Sequence, residues 1–160
     1  MTGTTFRPGA AQVARPPGAY GPNRQQTDLA GGGTGFLTRP LSDRVRRVPA
    51  AGGGLFSTTD DVLRYGLMLA NDGELDGRRY LSDAAMNELR KEQTRNARVN
   101  YGQGYHLRNG LFGHDGAHGT DLSVNPKTGM VAVFNGGMHR RRPAAARDAF
   151  LKAAPKVVPK

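Results

Sequence analysis

The residues best placed to do chemistry lie at the start of the stretch 112–134, where glycines flank a histidine and an aspartate. Gly113 and Gly116 carry no Cβ, so the backbone around His114 and Asp115 can approach a ligand closely. This pattern is compatible with two functions. The glycine backbone could contact a substrate, or the imidazole and the carboxylate could bind a metal ion. We interpret the stretch as the rim of an active site.

Metal binding would involve a second histidine, because His118 follows His114 by four residues, with Asp115 and Asp121 close by. On a helix that spacing would place both imidazoles on one face, as in zinc sites. Glycines interrupt the segment and disfavour a helix, although an extended chain would still place His114, Gly116 and His118 on one side. Because no third strong ligand lies nearby, we expect no metal site, and nothing indicates a cofactor.

Acyl transfer would need an activated nucleophile. A serine requires a lysine three residues further on, because positions i and i+3 share a helix face and the amine can then take the hydroxyl proton. None of the four serines has such a lysine; they are Ser42, Ser57, Ser82 and Ser123. Tyr-x-Asn, Gly-x-Ser-x-Gly, a Walker loop and His-Glu-x-x-His are also absent. The chain contains no cysteine, so a disulfide, a thiolate zinc site and a cysteine nucleophile are excluded.

Hydrophobic periodicity predicts the sheet that positions this rim. Leu122 and Val124 alternate with polar residues, as in a half-buried strand. Residues 125–129 have the chemistry of a turn, because proline fixes φ and glycine supplies a positive φ. A continuous apolar run follows, which is typical of a strand covered on both faces. The predicted strands are residues 101–107, 111–115, 119–124 and 130–135.

Three helices are predicted beside the sheet. The strongest begins after Ser57, which we take as its N-cap with Asp60 as the acidic partner of a capping box, and it ends before Gly73. Ser82 caps the second helix, and Pro143 begins the third. The predicted helices are residues 58–71, 83–91 and 144–154.

Length, charge and composition limit the classes of function that remain possible. The 160 residues are enough for one domain with a core, and the net charge is +10. Nucleic-acid recognition would need basic residues interleaved with aromatics, but aromatics are only 7% of residues and are absent from the clusters 44–47 and 139–142. We therefore predict that the basic residues form solvated surface and that the protein does not bind nucleic acid. The alternative role for these residues is to line a cleft that attracts a carboxylate substrate. No apolar run is long enough to span a membrane.

Five segments, taken together, resemble one family, the serine β-lactamase-like hydrolases, which include class C β-lactamases, DD-carboxypeptidases, D-aminopeptidases and esterases. In several of its peptidase-like members the third active-site motif is His-x-Gly, and His114-Asp115-Gly116 matches it, followed by Ala117 and a strand–turn–strand. The other matching segments are Met1–Phe6, Pro49–Val62, Leu75–Ser82 and Tyr101–Tyr105.

The resemblance implies roles for three residues. His114 would donate to a substrate carboxylate or to a tyrosine base, Gly116 would let the acyl group approach the strand, and the N–H of Ala117 would form half of an oxyanion hole. Lys127-Thr128-Gly129 has the β-lactamase form of the same motif. Because that triplet follows Asn-Pro in a predicted turn, we reject it as the site.

The resemblance also implies a fold and a missing part. We expect an α+β fold, the C-terminal part of a β-lactamase/transpeptidase-like domain over 41–160, preceded by a poorly ordered or loop-rich lead-in over 1–40. The nucleophile, the base and the rest of the sheet would come from an N-terminal half, and the complete enzyme would act on a small-molecule or peptide substrate. That parent enzyme would be exported, with a signal upstream of Met1, whereas this chain alone indicates no location. A non-catalytic remnant or interaction module, and less favoured a basic nucleic-acid-binding protein, remain the alternatives.

Overall fold

The computed structural model describes residues 1–9, 20–23, 25, 27–31, 52–95, 97–136 and 142–154. Within these ranges the chain is a mixture of helices and antiparallel strands, which confirms the predicted α+β class. The helices are α1 (Thr59–Ala70), α2 (Asp83–Arg90) and α3 (Arg142–Ala153). The strands are β1 (Tyr20–Pro22), β2 (Leu29–Gly31), β3 (Glu74–Leu75), β4 (Arg78–Arg79), β5 (His106–Arg108), β6 (Leu111–Asp115), β7 (Thr120–Val124) and β8 (Val131–Asn135).

The main sheet has the strand order β5-β6-β7-β8, with every neighbouring pair antiparallel. Phe112 lies opposite Val124, and both pack with α1 and α2 in the hydrophobic core. Alternate residues point to the other face, where Phe134 of β8 stacks on Phe150 of α3 with ring centroids 5.6 Å apart. Helices therefore cover both faces of the sheet.

Helix α1 begins one residue later than the sequence predicts. Thr58, not Ser57, is the N-cap, and its side chain accepts a hydrogen bond from the Asp61 amide at 3.2 Å. Ser57 is engaged elsewhere, because its hydroxyl lies 2.8 Å from that of Thr4. The Asp61 carboxylate accepts from the Gly3 amide at 2.8 Å and from the Thr4 hydroxyl at 2.7 Å. The beginning of α1 thereby anchors the first residues of the chain.

Acid should weaken this anchor. The hydrogen bond from Thr4, aided by the amide of Gly3 and opposed by desolvation, holds the pKa of Asp61 below its ordinary value of 3.8. A carboxyl whose pKa is lower in the folded state stabilises the fold above its unfolded pKa, and that contribution is lost as the pH falls through the folded pKa. We expect the unfolding free energy, measured by urea titration, to fall with acidification below about pH 4. Asp61→Asn should flatten that dependence; an unchanged slope in Asp61→Asn would show that the anchor does not contribute.

The strand predicted over 101–107 is wrong in its first half. Tyr101 forms a single backbone bridge with His106, and the residues between them turn back on themselves. The Gly102 amide donates to the Tyr105 carbonyl at 2.9 Å, and Gly104 has φ +80, in the left-handed region that favours glycine. The expected alternation of side chains along 101–107 is therefore lost. Instead, the turn brings the Tyr101 ring over the end of β5.

The described part of the lead-in contains two pairings that the sequence did not indicate. Strands β1 and β2 form a short hairpin, closed by Asn23, whose side chain accepts from the Thr27 amide at 2.9 Å. Thr5 and Phe56 exchange two backbone hydrogen bonds of 2.8 and 2.9 Å. Because residues 10–19 and 32–51 lie outside the described part, the division at residue 40 stays a prediction. No helix among the described residues is long and apolar enough to cross a membrane.

Candidate active site

His114 is exposed near the end of β6, and hydrogen bonds hold both of its ring nitrogens. Its Nδ1 lies 2.7 Å from the carbonyl oxygen of Asp115. Because a carbonyl can only accept, Nδ1 carries the hydrogen, and in the neutral ring Nε2 is an acceptor. The hydroxyl of Tyr101 contacts Nε2 and donates to it. These two partners fix the orientation of the imidazole.

His106 reaches the same place from the neighbouring strand, because β5 pairs with β6 and sets His106 opposite Gly113. Its Nε2 lies 3.2 Å from the Tyr101 hydroxyl and 3.5 Å from Oδ1 of Asp115. The two imidazole centroids are 4.9 Å apart. Desolvation lowers the pKa of His106, and the charges of Arg108 and His114 act in the same direction.

Asp115 is held between two arginines. Arg108 contacts one carboxylate oxygen, and Nη1 of Arg147 on α3 lies 3.1 Å from the other. Partial burial alone would raise the pKa of Asp115, but the hydrogen bond and charge of Arg108, together with the charge of Arg147, outweigh it. The pKa of Asp115 therefore lies below its ordinary value, and the group is a carboxylate at neutral pH.

Asp121 lies opposite Asp115 on β7 and is buried. Burial raises the pKa of Asp121, against the hydrogen bond that its Oδ1 accepts from Ser123 at 2.7 Å. Arg147 lies 4.0 Å from its other oxygen. A cavity of about 340 Å³ opens beside these groups. Its lining includes His106, Arg108, His114, Asp121, Ser123, Arg147 and Lys152.

The chain turns sharply after β6. Gly116 donates to the Thr120 carbonyl at 2.8 Å, and the Gly119 amide donates back to the Gly116 carbonyl at 3.0 Å. The expectation that His114, Gly116 and His118 share one side of an extended strand is therefore wrong. Ala117 is exposed at the tip of this turn, and its amide has no hydrogen-bond partner among the described residues. Ala117, whose N–H has no hydrogen-bond partner among the described residues, therefore follows His114 by three positions in the sequence.

The rejected triplet lies in a turn, as predicted. The Gly129 amide donates to the Asn125 carbonyl at 2.9 Å, and Asn125 Oδ1 accepts from the Lys127 amide at 3.0 Å. This turn joins β7 to β8 at the end of the sheet opposite the turn after β6. Four residues of strand, roughly 13 Å, separate the two ends. Lys127 therefore does not reach the surroundings of His114.

The sequence patterns did not predict which residues surround His114 in the structure. Tyr101, His106 and Arg147 come from three different elements, and only strand pairing and helix docking bring them together. A Tyr-x-Ser sequence does occur, at Tyr80-Leu81-Ser82, but its residues have structural contacts. Ser82 caps α2 by accepting from the Ala85 amide at 3.2 Å, and the Arg78 guanidinium lies over the Tyr80 ring.

Comparison with known proteins identifies the family of the chain. The family model described as Beta-lactamase matches residues 1–154. The chain therefore belongs to the Beta-lactamase family, as the resemblance of the five segments implied.

Individual relatives match only in part. Protein Rv1367c of Mycobacterium tuberculosis strain H37Rv, and uncharacterized protein MT1414 of strain CDC 1551, are each 28% identical over 111 residues, covering 52% of this chain and 28% of the relative. A solved structure from Bacillus anthracis, named as a 6-aminohexanoate-dimer hydrolase, superposes with a TM-score of 0.51 at 23% identity. That superposition covers 67% of this chain and 31% of the other, and at this identity it shows the fold alone. The chain thus spans less than a third of the length of these relatives.

Proposed function

We propose that this chain forms one wall of the active site of a β-lactamase-like serine hydrolase, which cleaves an amide or ester bond through an acyl-enzyme. The observation that carries the proposal is the arrangement at the end of β6, in a chain of the Beta-lactamase family. There an exposed and oriented imidazole, a glycine without Cβ and an open amide follow one another within four residues, His114–Ala117.

Each of these groups has a role in the proposed reaction. A His114 imidazole that carries a hydrogen on both ring nitrogens donates from Nε2, in place of its contact with Tyr101, to a substrate carboxylate or to a tyrosine base supplied by another part of the protein. Gly116 lets the acyl group approach the strand, and the turn itself also requires glycine there, because a Cβ would lie 2.4 Å from the Thr120 hydroxyl oxygen. The Ala117 N–H stabilises the charge that develops on the carbonyl oxygen, as half of an oxyanion hole.

The nucleophile and the general base would have to come from another part of the protein. Ser-x-x-Lys and Tyr-x-Asn do not occur in the chain, and the chain spans only 28% of the length of the curated relatives. The outer edge of β8 has no strand partner within the described part of the sheet. These three observations support a missing half that carries the nucleophile and completes the sheet.

Nucleic-acid binding is not the function we favour, because five of the described arginines are engaged in ion pairs. Their carboxylate partners lie on the same chain, which reduces the positive charge that these five offer to phosphates. The pairs are Arg64–Asp76, Arg79–Asp83, Arg90–Asp72, Arg108–Asp115 and Arg147–Asp148. The arginine clusters 44–47 and 139–142 lie outside the described residues, except for Arg142, which begins α3.

The chain alone should not be acylated. No serine in it has the lysine that would activate it, so a fluorophosphonate probe or a fluorescent penicillin should leave it unlabelled in a mass measurement. Fusion to the upstream part of a family member that carries Ser-x-x-Lys should restore labelling of that serine. Stoichiometric labelling of any of the four serines, Ser42, Ser57, Ser82 or Ser123, in the chain alone would overturn the proposal. A folded fusion that stays unlabelled would favour a non-catalytic interaction module instead.

A further inference from the structure

Two histidines and an aspartate converge at the end of β5 and β6, on atoms that suit a metal ion. The closest ligand atoms of His106, His114 and Asp115 all lie within 4.8 Å of one another. We propose that these three side chains bind a divalent cation of the zinc class, with the Tyr101 hydroxyl or a water completing the coordination. The proposal concerns binding alone and stands whether or not the proposed hydrolase function is correct.

Ligand spacing supports a tetrahedral site. Bonds of about 2.0–2.1 Å from zinc to nitrogen or oxygen imply that neighbouring ligand atoms lie about 3.3–3.4 Å apart. The His106 Nε2 atom lies 3.5 Å from Asp115 Oδ1 and 3.2 Å from the Tyr101 hydroxyl. His114 Nε2 contacts the same hydroxyl from the other side. Shifts of up to about 1.4 Å would bring the three ligand atoms, now within 4.8 Å of one another, to the spacing of a tetrahedral site.

The chemistry of the donors fits the same cation. Two imidazoles and one carboxylate are a common ligand set for zinc. The hydrogen bond from His114 Nδ1 to the Asp115 carbonyl, 2.7 Å long, leaves the lone pair on Nε2 and fixes the ring. Such a second hydrogen bond is what orients histidine ligands at known metal centres.

Access and charge also permit a cation. The side chains of His106 and Asp115 are 19% and 34% exposed and His114 more so, and the cavity beside them opens to solvent. The three nearby carboxylates, of Asp115, Asp121 and Asp148, match in number the three cationic groups of Arg108, Arg147 and Lys152, so a bound cation would meet no excess of positive charge. Arg108 is the direct competitor, because it contacts the same Asp115 oxygen that would bind the metal.

The expectation of no metal site considered only residues near His114 in the sequence. Along that segment the second histidine is His118, and a third strong ligand is missing. The register of β5 with β6 supplies His106 instead, opposite Gly113, and thus completes the set. The two candidate histidine ligands are therefore His106 and His114, and His118 is not one of them.

Titration of the tag-free 160-residue chain with zinc, followed by calorimetry, tests the proposal. We expect one zinc per chain, and we expect His106→Ala and His114→Ala each to weaken binding by at least about 100-fold, the upper end of the loss caused by outer-shell changes. His118→Ala is the matched control and should change the affinity by less than about threefold, since it is not one of the three ligands. Arg108→Gln should tighten binding, because it frees the Asp115 oxygen.

A second measurement keeps the result independent of variant folding. Cobalt bound to the unaltered chain should give the intense visible absorption of a four-coordinate site, and zinc should abolish it by displacement. Circular dichroism establishes that each variant is folded, and His106→Gln replaces His106→Ala if the alanine variant unfolds. Absence of zinc binding, or binding that survives both folded histidine variants, would overturn the proposal.

Discussion

Replacing His114 with alanine should lower the turnover of a reconstituted enzyme by about two to three orders of magnitude. That loss corresponds to roughly 2.7–4 kcal/mol, the range for removing one donor that stabilises charge in a preorganised site. The reconstituted enzyme is this chain joined to the upstream half of a family member that carries the serine and the tyrosine. The rate is measured as the hydrolysis of an ester substrate under single-turnover conditions. A chelator removes metal ions so that zinc does not occupy His114.

Two matched substitutions control for general damage. His118→Ala removes the other histidine of the segment, and Lys127→Ala removes the lysine of the literal Lys-Thr-Gly. Each should change turnover by less than about threefold, as expected for side chains away from the reacting atoms. The turn at 125–129 holds Lys127 at the other end of the sheet. A silent His114→Ala together with a damaging Lys127→Ala would mean that the wrong triplet has been assigned.

The largest loss of stability is expected for Leu69→Ala. Leu69 on α1 is 0% exposed and lies in the core with Met86, Phe112 and Val124. Truncating a fully buried leucine removes apolar contact and leaves a cavity, which costs about 2–5 kcal/mol of unfolding free energy. That is a large part of the total of about 5–15 kcal/mol typical of a domain, so urea titration should show a much lower midpoint.

Leu67→Ala is the control for this prediction. It deletes the same atoms from the same helix and alters helix propensity equally, but Leu67 is 41% exposed. We expect a loss below about 1 kcal/mol. Equal losses in the two variants would show that α1 does not pack on the sheet through Leu69 as described.

Local signals were enough to predict the centre of the fold. The strand predicted over 111–115 matches β6, Leu111–Asp115, and that over 119–124 matches β7 to within one residue. Helix α2, Asp83–Arg90, also lies within its predicted bounds, with Ser82 as its cap. These elements have strict alternation, clear caps or proline and glycine turns, all of which depend on residues close in sequence.

Distant contacts account for what could not be predicted. The cap of α1 shifted to Thr58 because Thr4, more than fifty residues away, engages Ser57. The strand expected over 101–107 began late because Gly102 and Gly104 form a turn, and the bridge between Tyr101 and His106 closes it. The same bridge places Tyr101 and His106 beside His114. No spacing in the sequence indicates this cluster.

A crystal structure of the reconstituted enzyme after reaction with a fluorophosphonate tests the central claim most directly. The phosphonyl group on the serine of the upstream half marks where the reacting carbonyl would lie. We expect a phosphonyl oxygen within hydrogen-bond distance, about 3 Å, of the Ala117 amide, with Gly116 beside it and the His114 imidazole facing the adduct. An adduct beside Lys127, or one that contacts none of the residues His114–Ala117, would contradict the assignment of this rim as the active-site wall.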